Sequence, residues 1–164
     1  MRPSDAELFQ LSEQLGELLK QKAWMLASAE SCTGGWVGQL VTAVAGSSQW
    51  YDRGFITYTN LSKQEMLGVA AATLEVHGAV SEETVREMAQ GALKRSRAQI
   101  SVSVSGIAGP GGGTRKKPVG TVCIGWATTD GKLLSTTCRL GGDREEIRVR
   151  AVAAALRGLI ELLA

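Results

Sequence analysis

The chain has 164 residues, 44% of them hydrophobic and 21% charged, with a net charge of +2 at neutral pH. This composition fits one compact domain with a sizeable core, and it excludes both a disordered polar tract and a strongly basic nucleic-acid-binding segment. Cys32, Cys123, Cys138 and the single histidine, His77, match neither a disulfide framework nor a zinc-ligand spacing. The start is polar and no apolar run reaches membrane-spanning length, so the expectation is a cytoplasmic protein, residues 1–164 forming one domain, with no membrane partner. The one basic block, Arg115-Lys116-Lys117, lies among Gly, Thr and Pro and reads as a solvated loop; no nucleic-acid partner is expected.

Along the chain, Ser4 and Glu7 have the pattern of a capping box. Leu8, Leu11, Leu15, Leu18 and Leu19 follow as one stripe, which predicts a helix over residues 5–20. Trp24, Met25, Leu26 and Ala27 begin a predicted buried strand at 24–28. Trp36, Val37, Leu40, Val41 and Val44 then recur at helical spacing, which predicts a helix over 33–45 that stops at Gly46. Residues 53–59 are rich in β-branched and aromatic side chains and read as a second strand. Asn60 is the expected N-cap of a short helix carrying Lys63, Met66 and Leu67.

Residues 68–78 show weak helical periodicity and a turn at His77-Gly78. Ser81 caps a clearer helix, with Glu82 and Glu83 at its positive end and Val85, Met88, Ala89, Ala92 and Leu93 on its buried face. Residues 99–105 alternate apolar residues with serines, the period of a strand. A glycine-rich loop over 106–119 is long enough to suggest a function. Residues 121–128 and 133–139 flank Asp130-Gly131 as a hairpin, and Asp143 with Glu146 opens a last amphipathic helix. The order predicts an α/β fold: a three-layer α/β/α domain with a mixed, mainly parallel sheet.

The chemistry concentrates at Ala29-Glu30-Ser31-Cys32-Thr33-Gly34-Gly35, between a strand and a helix. Free N–H groups of a first helical turn favour a phosphate or a developing oxyanion, and the glycines admit close approach. Ser31 needs a base, whereas Cys32 is the rival nucleophile because a thiol at a helix N-terminus is often acidified; a small buried hydrophobe is its bland alternative. His77 sits in a polar turn with no orienting acid nearby in sequence, which disfavours a Ser-His-Asp triad. Lys63, at the third helical position if Asn60 is the cap, opposes the helix dipole, and partial burial there would favour the neutral amine of a general base. The alternative is an ordinary exposed lysine. Tyr58 at a strand end is suited either to orienting that amine or to packing in the sheet. Ser105 falls where open α/β sheets bind ligands, and the loop from Gly106 through Gly109 offers exposed backbone without matching a dinucleotide-binding spacing.

Taken together, several stretches resemble the family of the C-terminal domain of competence/damage-inducible protein CinA. They are residues 29–35, Ala45-Gly46-Ser47-Ser48, Gly54 to Asn60 with Lys63, Gly78-Ala79-Val80-Ser81, residues 103–112, Lys117-Pro118-Val119-Gly120-Thr121-Val122, and Gly142-Asp143-Arg144-Glu145 with Arg148. The resemblance implies hydrolysis of the carboxamide of nicotinamide mononucleotide, a Ser/Lys mechanism without metal or other cofactor, a role in NAD recycling, and a homodimer. It places Ser31 as nucleophile, Lys63 as base and Tyr58 beside them. Cys32, Thr33, Gly34, Gly35, Ser105, Gly106, Gly109 and Arg148 are implied to bind substrate. Where the family pattern runs Ser-Asn-Glu-Ala-Lys, this chain has Thr59-Asn60-Leu61-Ser62-Lys63; the lysine spacing is kept. The resemblance does not extend to the large N-terminal domain of full-length CinA. A nucleotide-binding or partner-binding protein that keeps the fold without turnover is the alternative reading.

Overall fold

A computed structural model describes residues 2–164. The elements run α1 (Asp5–Lys22), β1 (Leu26–Glu30), α2 (Trp36–Thr42), β2 (Tyr51–Ile56), α3 (Asn60–Leu67), α4 (Ala71–His77), α5 (Glu82–Lys94), β3 (Ile100–Gly106), β4 (Thr121–Thr128), β5 (Leu133–Arg139) and α6 (Arg144–Leu163). The strands form one mixed sheet in the order β2-β1-β3-β4-β5. β1 pairs in parallel with both β2 and β3, while β3–β4 and β4–β5 are antiparallel, as the hairpin requires.

The period of two in β3 explains the layering. Ile100, Val102 and Val104 point to one face, where they join Leu15, Leu19, Trp50, Trp126, Leu156 and Leu159 in the larger core under α1, α2 and α6. Ser101 and Ser103 point to the other face and donate to the carbonyls of Ala89 and Val85 on α5, at 2.7 and 2.5 Å. A strand serine therefore ties a helix to the sheet without leaving its hydroxyl unpaired in a dry interior. α3, α4 and α5 cover this second face, so the expected three-layer α/β/α arrangement is present.

Capping boxes at Ser4/Glu7 and Asp143/Glu146 start α1 and α6 as the sequence indicates. Three expectations shift. β1 begins at Leu26, two residues later than the apolar run, because its register is set by pairing of Leu26 with Ile100 and Tyr51 on either side. The N-cap of α3 is Thr59, not Asn60: its hydroxyl accepts from Ser62 N, and Ser62 Oγ accepts from Thr59 N. Lys63 is thus the fourth helical residue rather than the third. The ambiguous stretch contains α4, ended by Gly78.

One close approach fixes where α3 lies. Gly91 on α5 faces the last turn of α3 so tightly that a Cβ would stand 2.0 Å from the Leu67 carbonyl oxygen. Only glycine permits that contact.

Candidate active site

β1 delivers Ser31 to the end of the parallel half of the sheet. Its N–H still bonds to Val104 O at 2.9 Å, so the strand ladder holds the residue after the strand itself has ended. The helix expected from residue 33 starts only at Trp36, since Gly34 and Gly35 turn the chain with φ of 61° and 108°, values that favour glycine. The turn folds over the buried Glu30 side chain. Its Oε1 accepts from Thr33 Oγ1 at 2.6 Å, Gly35 N at 3.2 Å and Val37 N at 2.9 Å, and its Oε2 accepts from Gly38 N at 3.1 Å. The first turn of α2 is therefore occupied by the protein's own carboxylate. Of the N–H groups expected around Cys32–Gly35 to face substrate, that of Gly35 goes to Glu30 and that of Gly34 to Ser31 O; those of Val37 and Gly38 in α2 also go to Glu30.

Lys63 reaches Ser31 from α3. Its Nζ lies 3.0 Å from Ser31 Oγ, 2.8 Å from Thr57 O and 3.4 Å from Tyr58 O, and the residue is 1% exposed. Burial pushes its pKa below the usual lysine value. The two carbonyls come from the segment after β2, which ends at Ile56 rather than continuing to Thr59 as the sequence indicates. A neutral amine has two hydrogens and one lone pair. The Ser31 hydroxyl lies 3.4 Å from Tyr58 O; with the amine hydrogens directed to carbonyls, a lone pair on Nζ would be available to that hydroxyl, an arrangement able to serve as nucleophile and base.

These two residues open onto a cavity of about 220 Å³, lined also by Cys32, Tyr58, Ala79, Val80, Ser105, Gly106, Ala108 and Arg144. Ser105 continues the serine row of β3 one step beyond Ser103, which bonds to Val85 O, and lines the cavity instead of tying to α5. Tyr58 contributes its carbonyl to Lys63, while its ring is 58% exposed and its hydroxyl accepts from Arg144 Nη2 at 3.1 Å. Arg144 also donates to Gly109 O at 2.6 Å, so it spans the rim from Tyr58 to the glycine-rich loop. The sequence did not single out Arg144 for the site; its place in Gly142-Asp143-Arg144-Glu145 was the available signal.

Of the residues expected to bind substrate, Cys32, Ser105 and Gly106 line the cavity, and Thr33, Gly34, Gly35, Gly109 and Arg148 do not. Arg148 instead grips the turn from outside: Nε donates to Cys32 O at 3.0 Å and Nη2 to Thr33 O at 3.2 Å, with the guanidinium over the Trp36 ring. Cys32 is buried and its thiol pKa is pushed up to about 11, opposite to the acidified thiol that a rival nucleophile needs. His77 ends α4, 3.4 Å from Glu83, and borders a different groove. Among the described residues no group of three or more His, Cys, Asp or Glu is placed to hold a metal ion, and no helix is long and apolar enough to cross a membrane.

The known proteins agree with this architecture. An Escherichia coli K12 protein named nicotinamide-nucleotide amidohydrolase PncC is 53% identical over 156 residues, spanning 95% of this chain and 94% of the relative. A protein of the same name from Enterobacter agglomerans is 51% identical over 154 residues, 94% of each chain. The crystal structure of competence/damage inducible protein CihA from Agrobacterium tumefaciens superposes with a TM-score of 0.95 at 45% identity, covering 100% of this chain and 99% of that one. The family model described as the CinA C-terminal domain matches residues 8–163, from the first buried leucine of α1 to the last residue of α6, and the chain belongs to that family.

Proposed function

We propose that the protein is a nicotinamide-nucleotide amidohydrolase, converting nicotinamide mononucleotide to nicotinate mononucleotide and ammonia in NAD recycling, with Ser31 and Lys63 as its reacting pair. The observation that carries the reading is the buried 3.0 Å contact between Lys63 Nζ and Ser31 Oγ at the wall of a cavity. The names of the PncC relatives supply the substrate.

In this reading Lys63 takes the Ser31 proton as Oγ bonds to the carboxamide carbon. The carbonyl π electrons move to oxygen, giving a tetrahedral oxyanion. When the oxyanion collapses, the C–N bond breaks and Lys63 returns the proton to the departing nitrogen, which leaves as ammonia. Water, deprotonated by Lys63, then attacks the acyl-enzyme, and the proton passes back to Ser31 Oγ as the acid product is released. The cavity suits the pyridine carboxamide, which leaves the ribose phosphate at the rim. There Arg144 can exchange its bonds to Tyr58 Oη and Gly109 O for phosphate oxygens. Tyr58 acts through its carbonyl on Lys63 and through its hydroxyl on Arg144.

The reading includes one domain working in the cytoplasm as a homodimer, for which the exposed apolar Ile56, Tyr58 and Leu61 beside the cavity supply a surface. Light scattering at micromolar concentration gives the mass, and a strict monomer refutes that part. Incubation of the purified chain with nicotinamide mononucleotide should release ammonia and nicotinate mononucleotide in equal amounts. Binding without product overturns the enzymatic reading.

A further inference from the structure

The mechanism above leaves Glu30 unused, although it is 2% exposed and directly precedes the proposed nucleophile. A carboxylate is costly to bury and is kept inside only when its lone pairs are matched by donors. Here the donors are Thr33 Oγ1 and the N–H groups of Gly35, Val37 and Gly38, all belonging to the segment that follows Ser31. From the other side, Arg148 binds the carbonyls of Cys32 and Thr33. The turn is thus held by an internal anion on its N–H side and by an internal cation on its carbonyl side. Between the two grips, the N–H groups of Cys32 and Thr33 bond to no other residue among the described ones; that of Cys32 meets only its own thiol, a weak acceptor. A trans peptide directs its N–H opposite to its carbonyl, so the Arg148 bond to Cys32 O turns the Thr33 N–H away from the guanidinium. The Cys32 N–H belongs to the peptide that Ser31 itself begins.

We infer that Glu30 is a positioning residue for Ser31: by occupying the first turn of α2 as a built-in anion, it fixes the Ser31–Gly35 turn so that the Cys32 N–H, which bonds to no other residue, can leave its own weakly accepting thiol to stabilise the oxyanion. The role of the turn differs from that of a ligand-binding helix end, because the helix is already satisfied and what remains open is the peptide next to the nucleophile. The inference rests on Ser31 being that nucleophile.

Glu30→Gln tests it with the same shape and no charge. An amide presents two hydrogens where the carboxylate had only lone pairs. One edge must then face N–H groups with its own N–H, and the turn has to shift. Two readouts separate this idea from the amidase reading. The first is sulfonylation of Ser31 by phenylmethylsulfonyl fluoride, followed by mass spectrometry: the Oγ–S bond forms, the S–F bond breaks, fluoride leaves and Lys63 accepts the hydroxyl proton. This reaction builds negative charge on the sulfonyl oxygens without using the nucleotide substrate.

Glu30→Gln should slow labelling at least ~tenfold, part of the ~10²–10³-fold that a lost oxyanion donor costs. The second readout is ammonia release, in which kcat should fall by a similar factor with KM within ~twofold, the signature of an interaction made in the transition state. Thr33→Val removes one of the donors to Oε1 and should show the same pattern at ~two- to fivefold, which keeps the test available if the glutamine chain folds poorly. Labelling at the parent rate, a change confined to KM, or a loss no larger than the unfolded fraction measured by circular dichroism overturns the inference. A labelling contrast without any ammonia from the parent chain supports it and counts against the amidase reading alone.

Discussion

Two hollows open side by side and share Val80, yet only one sets a buried amine against a hydroxyl. The larger, about 470 Å³, lies between the start of α5 and the hairpin and contains most of the charge: Glu82, Glu83, Arg86, Lys116, Lys117 and Arg139. Several of those groups are held by neighbouring polar groups of the fold. Glu82 accepts from Ser135 and Thr137 Oγ1 at 2.8 Å each, Arg86 donates to Ser135, and Lys117 reaches His77 O at 2.7 Å. The smaller hollow, about 220 Å³, has a buried amine against a hydroxyl and a single guanidinium at its rim. Volume and charge mark where solvent collects; a base held dry beside a nucleophile marks where a bond can be broken. Desolvation marks the smaller hollow, since burial lowers the pKa of Lys63.

The largest expected effect comes from the smaller hollow. Ser31→Ala and Lys63→Arg should each cut kcat by ~10³-fold or more, since a guanidinium keeps the charge but cannot accept the proton. A Lys63→Arg chain with near-parental turnover would mean that Lys63 only attracts an anion. The same residue sets the acidic limb of the pH profile. The ammonium is inactive and the amine active, so activity should rise with pH through an apparent pKa below that of an ordinary lysine and fall away beneath it. A limb at the ordinary lysine value breaks the contrast between the hollows.

Arg144→Ala, at the rim, should raise KM ~10-fold or more and change kcat little, the loss of charge-assisted bonds to phosphate. The amide of the nucleoside lacking phosphate should be indifferent to that substitution. Cys32→Ala should retain activity within ~threefold, because its buried thiol is protonated at neutral pH. Smallest of all, Arg139→Ala in the larger groove should leave both constants within ~twofold; a larger change would show that substrate crosses Val80 into that groove.

How much of this could be read from the chain varies residue by residue. Ser31 and Lys63 read locally as a serine in a small-residue turn and an ordinary exposed lysine; only the family resemblance singled them out together, and the fold brings them within 3.0 Å of each other. The layers were legible from periodicity, as in the alternation of β3. Thr59 and Asn60 are both good caps, and only the reciprocal bond from Ser62 decides between them. Glu30 drew no role in the segment between the predicted strand and helix, since its partners exist only once the chain has folded back over it. Arg144 and Arg148 sit four apart on one helix, and sequence spacing cannot say which reaches a cavity rim and which a turn. That is settled by how α6 docks on the glycine-rich loop and on the turn before α2, the latter more than a hundred residues away in sequence.

The Gly91 contact has a consequence for how the protein tolerates substitution. A methyl group at that position meets a backbone carbonyl, which cannot swing aside as a side-chain tip can. α3 would have to retreat as a unit, drawing Lys63 away from Ser31 and stretching a 3.0 Å bond whose length governs proton transfer. The Lys63–Ser31 distance is therefore set partly by a missing atom on a neighbouring helix. An alanine at 91 should silence the chain while every residue of the pocket remains unchanged, so a survey of inactivating mutations confined to the cavity wall would overlook one of the positions on which its chemistry depends.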